Sequence, residues 1–204
     1  MLLSVTGASG SGKSTVLAAL SGRFAAESAV CVEFDSIGVP VDADTAWRHR
    51  AVERWVQVAV HEQQHGRHLV LFGQVPIGEL LAAPSVSSLA GVAACLLHCS
   101  PVTRCERLMA RGEREELLGD QVAFGRWFYG HTSDPTDQPE VIRVRTGVPM
   151  RWDRWSAWAA GDSRWSFEVV DTDALTAAQT ADRVASWVDA TLAGDLPALR
   201  LSDA

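Results

Sequence analysis

Gly7-Ala8-Ser9-Gly10-Ser11-Gly12-Lys13-Ser14-Thr15 carries the clearest chemistry in the chain. The spacing is G-x-x-x-x-G-K-[ST], the pattern of a loop that wraps phosphate oxygens. Its glycines let backbone N–H groups turn inward, and the helix that follows adds the positive end of its dipole. In such a loop Lys13 bridges β- and γ-oxygens, and the Ser14 hydroxyl ligates Mg²⁺. The flanks agree with this reading. Leu2-Leu3-Ser4-Val5-Thr6 before it is a buried strand, and Val16-Leu17-Ala18-Ala19-Leu20 after it opens a helix. Lys13 is also the only lysine among 18 basic residues. An arginine-rich composition of this kind fits a GC-rich coding sequence. A lysine remains where a compact charge on a flexible stem is needed, a task that arginine's planar fork does not fill.

Other residues offer chemistry around that loop. Asp35 ends an apolar run at residues 29–34, with Glu33 two positions earlier and so on the same strand face. A carboxylate there can take a proton from a hydroxyl or hold a Mg²⁺-bound water, or it can simply make a turn before Ser36. The third apolar run, residues 68–72, is followed by Gly73-Gln74 where a metal-binding carboxylate often stands. Mg²⁺ would then rest on Ser14, phosphates and water, with Asp35 or Glu33 behind, and Gln74 is free to bond a substrate or to end the strand. Arg104, Arg107 and Arg111 share a helix face at spacings of three and four. Arg107 and Arg111, next to Gly112, suit a lid that brings cations over a transferring phosphoryl group. Arg104 reads as a solvated residue. Arg48 lies in a segment with His49, Arg50, Glu53 and Arg54 between Trp47 and Trp55, positioned to wall an acceptor pocket. His131 and residues 134–140 are a second candidate for closing over the cleft.

Strands alternate with helices along the chain. Strands are expected at residues 2–6, 29–34, 68–72, 91–99 and 166–170. Helices are expected after the phosphate loop, at 44–64 with Asp44 as N-cap, from Ser100-Pro101 to Arg111, at 120–129, at 149–160 and at 176–192. Residues 131–149 read as a loop, and the tail after Gly194 as loosely held. This alternation means a parallel sheet with ligands at the carboxyl ends of its strands, where the phosphate loop, Asp35, Gly73-Gln74 and Ser100 all lie.

The 204 residues fit one α/β domain spanning 1–204, and a 47% hydrophobic content supplies its core. A net charge of −7 argues against a long nucleic acid as partner. No signal peptide or membrane span is expected. Cys31, Cys95, Cys99 and Cys105 lack C-x-x-C spacing, and Cys31, Cys95 and Cys99, in or beside apolar runs, read as reduced core residues of a cytoplasmic protein.

The phosphate loop, the Asp after the second strand, Arg107-Leu108-Met109-Ala110-Arg111-Gly112 and Val170-Asp171-Thr172 together resemble the small P-loop kinases, a group of P-loop NTPases. These include the shikimate, gluconate, adenylate-kinase-like and chloramphenicol phosphotransferase groups. The resemblance implies a three-layer α/β fold with a five-stranded parallel sheet in the order 2-3-1-4-5 and a helical lid at about 112–150. It implies that Gly7, Ala8, Ser9, Gly10, Ser11, Gly12, Lys13, Ser14 and Thr15 hold ATP, with Ser14 on Mg²⁺ and Asp171-Thr172 near the adenine. It also implies that Lys13, Asp35, Arg107 and Arg111 serve phosphoryl transfer, with Arg48 and Gln74 beside Asp35 on the acceptor side. Nucleoside monophosphate kinases carry Asp-Gly-Phe-Pro-Arg where this chain has Gly73-Gln74-Val75-Pro76, which disfavours a nucleotide acceptor. The expected activity is ATP-dependent transfer to a hydroxyl of a small molecule such as a sugar, nucleoside or antibiotic-like metabolite. The alternative is a regulatory module that binds nucleotide without an acceptor. GTPase base recognition by N-K-x-D is absent.

Overall fold

Residues 1–25 and 28–201 are described by a computed structural model of the chain. Their elements run β1 (Leu2–Thr6), α1 (Lys13–Leu20), β2 (Ala29–Glu33), α2 (Thr45–Gln64), β3 (His68–Gly73), α3 (Ile77–Ala82), β4 (Val92–His98), α4 (Pro101–Met109), α5 (Glu115–Ser133), β5 (Glu168–Asp171) and α6 (Ala177–Ala193). The five strands form one parallel sheet in the order β2-β3-β1-β4-β5, as the resemblance implies. The register sets Thr6 at the end of β1 beside Gly73 of β3 and Leu96 of β4. The loops that leave β1, β2 and β3 therefore emerge together at one edge.

Alternation of side chains along the central strands divides the core into two layers. Leu2, Leu69, Leu71, Ala94 and Leu96 face one side, where Val52, Trp55 and Val56 of α2 and Leu80 and Leu81 of α3 cover them. Leu3, Val5, Val70, Phe72, Cys95 and Leu97 face the other side, under Val16 and Leu20 of α1 and Val184, Ala185 and Val188 of α6. Both sheet faces are buried, so β1, β3 and β4 read as continuous apolar runs. Side-chain caps start three of the helices. Asp44 accepts the Trp47 N–H (2.7 Å), Ser100 accepts the Thr103 N–H (3.2 Å), and Thr176 forms a reciprocal box with Gln179.

Four expectations need correction. Residues 149–160 are not a helix; only Trp152–Arg154 make a single 3-10 turn. Their backbone and side chains serve α3 instead. Arg151 N–H bonds Ala82 O, Arg154 bonds Ala83 O and Pro84 O, and Trp155 Nε1 bonds Gly78 O. Next, α5 continues to Ser133, so His131 is helical rather than part of a loop. Its ring is buried, stacked on Trp127 and edge-on to Trp155 and Trp165, which removes it from any lid over the cleft. Then α3 is an additional helix whose six residues are all buried, and so shows no amphipathic period in the sequence. Finally, within the described part of the tail, Leu199 pairs antiparallel with Val92 through two 2.8 Å bonds. Residues 202–204 lie outside the described residues. The four cysteines among the described residues are free thiols, and no described helix is long and apolar enough to cross a membrane.

Candidate functional site

The turn from β1 into α1 shows why the glycines stand where they do. A Cβ on Gly7 would sit 2.4 Å from Leu97 O, so the loop can hug β4 only with glycine there. Gly12, the residue before α1, has φ +99°, and a Cβ there would point into open space. The space thus left clear faces the N-terminus of α1. Ser11 Oγ is buried and has no hydrogen-bond partner among the described residues, a donor aimed at nothing the protein supplies. Lys13 Nζ donates to Ala8 O at 3.1 Å across the mouth of the loop. Burial first, then the positive charges of Arg104 and Arg111, push the Lys13 ammonium down to about 8, against the opposing pull of Glu33 and Asp35. An anion in the loop would reverse that push, since it favours the charged amine.

Two cavities meet at the loop. One, of about 350 Å³, is lined by loop residues with Lys13, Glu33, Asp35, Arg48, Gln74 and Arg111. The other, of about 360 Å³, is more apolar and runs over Gly12, Thr15, Arg107, Thr172, Leu175 and Thr180. Gly12 and Arg111 border both. Arg111 is exposed, its backbone N–H bonds Leu108 O, and its guanidinium has no hydrogen bond among the described residues, so it is available at the junction.

Asp35 does not continue the β2 strand. It lies in a 3-10 turn, Phe34–Ile37, closed by the Gly38 N–H to Asp35 O bond (3.0 Å). Asp35 and Glu33 therefore do not share a strand face as expected, although both carboxylates still border the same cavity. Two contacts hold the turn. Trp55 Nε1 of α2 bonds Phe34 O at 2.9 Å, and Phe34 packs so closely on Gly73 that a Cβ there would sit 2.5 Å from Phe34 Cβ. Glu33 Oε1 accepts from Ser14 Oγ at 3.3 Å. Gln74 is fixed from behind by Thr6, whose hydroxyl bonds both Val75 N (3.1 Å) and Val75 O (2.8 Å). Its Nε2 donates to Ser9 Oγ at 2.6 Å. Arg48 reaches the cavity from α2 and is held by the buried carboxylate of Glu79, with Nε and Nη2 at 2.8 Å; it also bonds Gln74 O.

The α4 arginines divide their tasks otherwise than their spacing implies. Arg104, expected to be solvated, is buried and donates to Ser9 O. Gly125 of α5 makes room for it, since a Cβ there would lie 2.6 Å from the guanidinium carbon. Arg107 bonds Gly10 O (3.3 Å), Thr172 Oγ1 (2.9 Å) and Thr172 O (2.9 Å), tying the loop to the end of β5. Both side chains satisfy loop carbonyls, those of Ser9 and Gly10. Arg104→Ala should leave Ser9 O unpaired, at a cost of about 1–3 kcal/mol. Thermal unfolding should show that loss together with weaker nucleotide binding. Unchanged nucleotide affinity in a destabilised variant would limit Arg104 to a packing role.

Other expected site residues fall outside the cavities. Asp171 borders neither; its Oδ1 accepts the Asp173 N–H at 2.9 Å. Thr172 does border the more apolar cavity. Ser100 caps α4, and its N–H is taken by Asp173, so it does not join the cleft. Sequence reasoning did not single out Glu79, Leu175 or Thr180. Leu175 and Thr180 lie at the start of α6, only a few residues after Asp171-Thr172, and that proximity was the available signal.

No family model matches the chain, and no curated protein matches it. Solved structures do. The protein APE1195 has 15% identity and a TM-score of 0.58, over 94% of this chain and 96% of that one. An uncharacterised protein from Eubacterium ventriosum has 12% identity and a TM-score of 0.51, over 93% and 98%. An unliganded sugar kinase from a Janibacter species has 15% identity and a TM-score of 0.55, over 94% and 96%. These likenesses establish a shared three-layer α/β fold.

Proposed function

We propose that the chain is an ATP-dependent phosphotransferase acting on a hydroxyl of a small molecule. The observation that carries this reading is the junction of the two cavities at the phosphate loop. The more apolar one would take the base end of a nucleotide, and the other brings Lys13, Asp35, Arg48, Gln74 and Arg111 around the space beyond the loop. The residues present fit the donor. The loop's glycines clear a cradle, the Ser11 hydroxyl is unpartnered, and Ser14 with Glu33 offers hard oxygens suited to Mg²⁺. ATP with Mg²⁺ supplies the γ-phosphoryl group and neutralises part of its charge. For its part, the protein positions and stabilises. Lys13 leaves Ala8 O to meet phosphate oxygens, Arg111 brings a cation to the junction, and Arg104 and Arg107 hold the loop carbonyls away. Asp35 orients the acceptor hydroxyl and takes its proton. The sugar kinase among the structural neighbours supports the same reading.

The sole lysine makes the donor half directly testable. An amine-directed reagent can modify only Lys13 and the N-terminal amine. Labelling of the Lys13 peptide should rise with pH through a midpoint near 8, because only the neutral amine reacts. Saturating Mg-ATP should shield the site and move that midpoint upward, since bound phosphate favours the charged form. Equal labelling with and without nucleotide would remove the phosphate site. The rival reading, a nucleotide-binding regulatory module, predicts shielding without any acceptor-dependent release of ADP. A kinase predicts both.

A further inference from the structure

The groups left open in the acceptor half of the cleft describe the molecule that fills it. Three polar side chains border that half, and each has at least one atom without a partner among the described residues. The Asp35 carboxylate has no hydrogen bond there. Gln74 uses Nε2 on Ser9 Oγ and leaves Oε1 open. Arg48 uses Nε and Nη2 on Glu79 and Gln74 O and leaves Nη1 open. Two of the three open groups accept hydrogen bonds and one donates. A carboxylate or phosphate ligand has only acceptor oxygens when ionised. Such a group satisfies Arg48 Nη1 alone, and wherever it replaces a hydroxyl beside Asp35 or Gln74 Oε1 it meets a like partner.

Charge points the same way. Arg48 is one of three cations that line this cavity, with Lys13 and Arg111, and the Glu79 carboxylate against it is buried, with a side-chain exposure of 1%. The pair is neutral as a unit. Lys13 and Arg111 belong to the phosphate loop and the cavity junction. Glu33 and Asp35 add two negative charges to the same cavity. Lys13 and Arg111 balance them across the cavity, but in the phosphotransfer reading both are taken up by the phosphates of the donor, and an acidic acceptor group beside Asp35 then meets a like charge.

We infer, on the basis of the phosphotransfer reading, that the acceptor is an uncharged polyhydroxyl compound. One hydroxyl donates to Asp35, a second donates to Gln74 Oε1, and one of them accepts from Arg48 Nη1. In the transfer step the hydroxyl oxygen forms the new P–O bond, the bond from the γ-phosphorus to the β,γ-bridging oxygen breaks, and the hydroxyl proton passes to the Asp35 carboxylate. The Glu79–Arg48 pair acts as the specificity element, because Glu79 cancels the charge with which Arg48 would otherwise select an acid.

The test is calorimetric binding to the protein loaded with Mg²⁺ and a non-hydrolysable ATP analogue, using matched pairs that differ in charge. The pairs are glucose and gluconate, myo-inositol and inositol monophosphate, and uridine and UMP. Transfer from ATP to the same compounds is measured in parallel. Neutral members should bind more tightly than their acidic partners by about tenfold or more, because an acid forfeits a hydrogen bond to a charged group and meets a like charge at Asp35. Glu79→Gln should narrow or invert that ratio by leaving Arg48 positive. Should Glu79→Gln fail to fold, Asp35→Asn, altered at an exposed side chain, should narrow it too by removing the repelling charge. Tighter binding of the acidic members by the wild-type protein overturns the inference, as does binding of neither member of any pair. Neutral members that bind without being phosphorylated would instead sink the phosphotransfer reading and leave the recognition chemistry standing. Phosphorylation of the acidic members would do the reverse.

Discussion

Replacing Lys13 by alanine or methionine is expected to abolish phosphoryl transfer without unfolding the protein. The amine is held at the mouth of the loop by one bond to Ala8 O, and the fold does not otherwise depend on it. Its charge is costly before nucleotide binds. Burial and the positive charges of Arg104 and Arg111 hold its pKa at about 8, below the ordinary lysine value. The sign of the linkage follows from that direction. Between about pH 8 and the unfolded-state value near 10.4, the unfolded chain binds the extra proton, so apo stability rises with pH; at neutral pH the folded state carries the penalty in full. Lys13→Met should therefore melt at or above the wild-type temperature. On the phosphotransfer reading the same side chain meets phosphate charge once Mg-ATP binds, and its loss should cost about 2–4 kcal/mol of transition-state stabilisation, or more. A variant that keeps its turnover would remove Lys13 from the chemistry. One that loses activity only through a lowered melting temperature would reassign it to structure.

The second large effect belongs to Asp35. Asp35→Asn keeps the shape of the 3-10 turn, whose closing bond uses the Asp35 carbonyl rather than its side chain. It removes the proton acceptor that faces the cleft. The expected loss is about 10²–10⁴-fold in kcat, with Mg-ATP affinity nearly unchanged. A residue that only shapes the turn predicts normal turnover and a lower melting temperature. A residue that mainly anchors Mg²⁺ predicts weaker Mg-ATP binding, and Glu33, with its contact to Ser14, is the better placed of the two carboxylates for that task. Measuring kcat, Mg-ATP affinity and melting temperature on the one variant separates the three.

The donor side of this site was legible in the sequence because its chemistry is local. Nine contiguous residues define the loop, and the strand before it and the helix after it are continuous in the chain. Strand positions followed from apolar runs, since a sheet covered on both faces leaves no polar alternation to mislead. The order 2-3-1-4-5 was carried by family resemblance. The acceptor side depends on which residues from distant segments meet, and spacing does not record that. Arg104 and Arg107 lie on α4, but the helix ends at Met109 and Arg111 falls in the turn after it, so the shared face expected of all three holds for two. One is buried under the loop, one is tied to Thr172 and one is exposed. What separates them is the approach of α5 through Gly125, twenty-one positions after Arg104. Glu79 was invisible for a related reason: α3 is buried on every side, so its one charged residue looks like part of an apolar stretch until Arg48 is brought to it. Residues 149–160 looked helical because tryptophans recur at spacings of three, a period that the single 3-10 turn and the ring contacts of Trp152, Trp155 and Trp158 satisfy without a helix.

The most direct test of the central claim follows the terminal phosphate itself. The protein is incubated with Mg²⁺ and ATP labelled in the γ-phosphoryl group, with and without a panel of uncharged polyols and nucleosides, and the label is traced by mass. Acceptor-dependent release of ADP, with the label recovered on the hydroxyl compound and abolished by Lys13→Met, is the predicted result. Nucleotide that binds and protects Lys13, yet gives its label to no acceptor and only slowly to water, would contradict phosphotransfer and leave a nucleotide-binding module in its place.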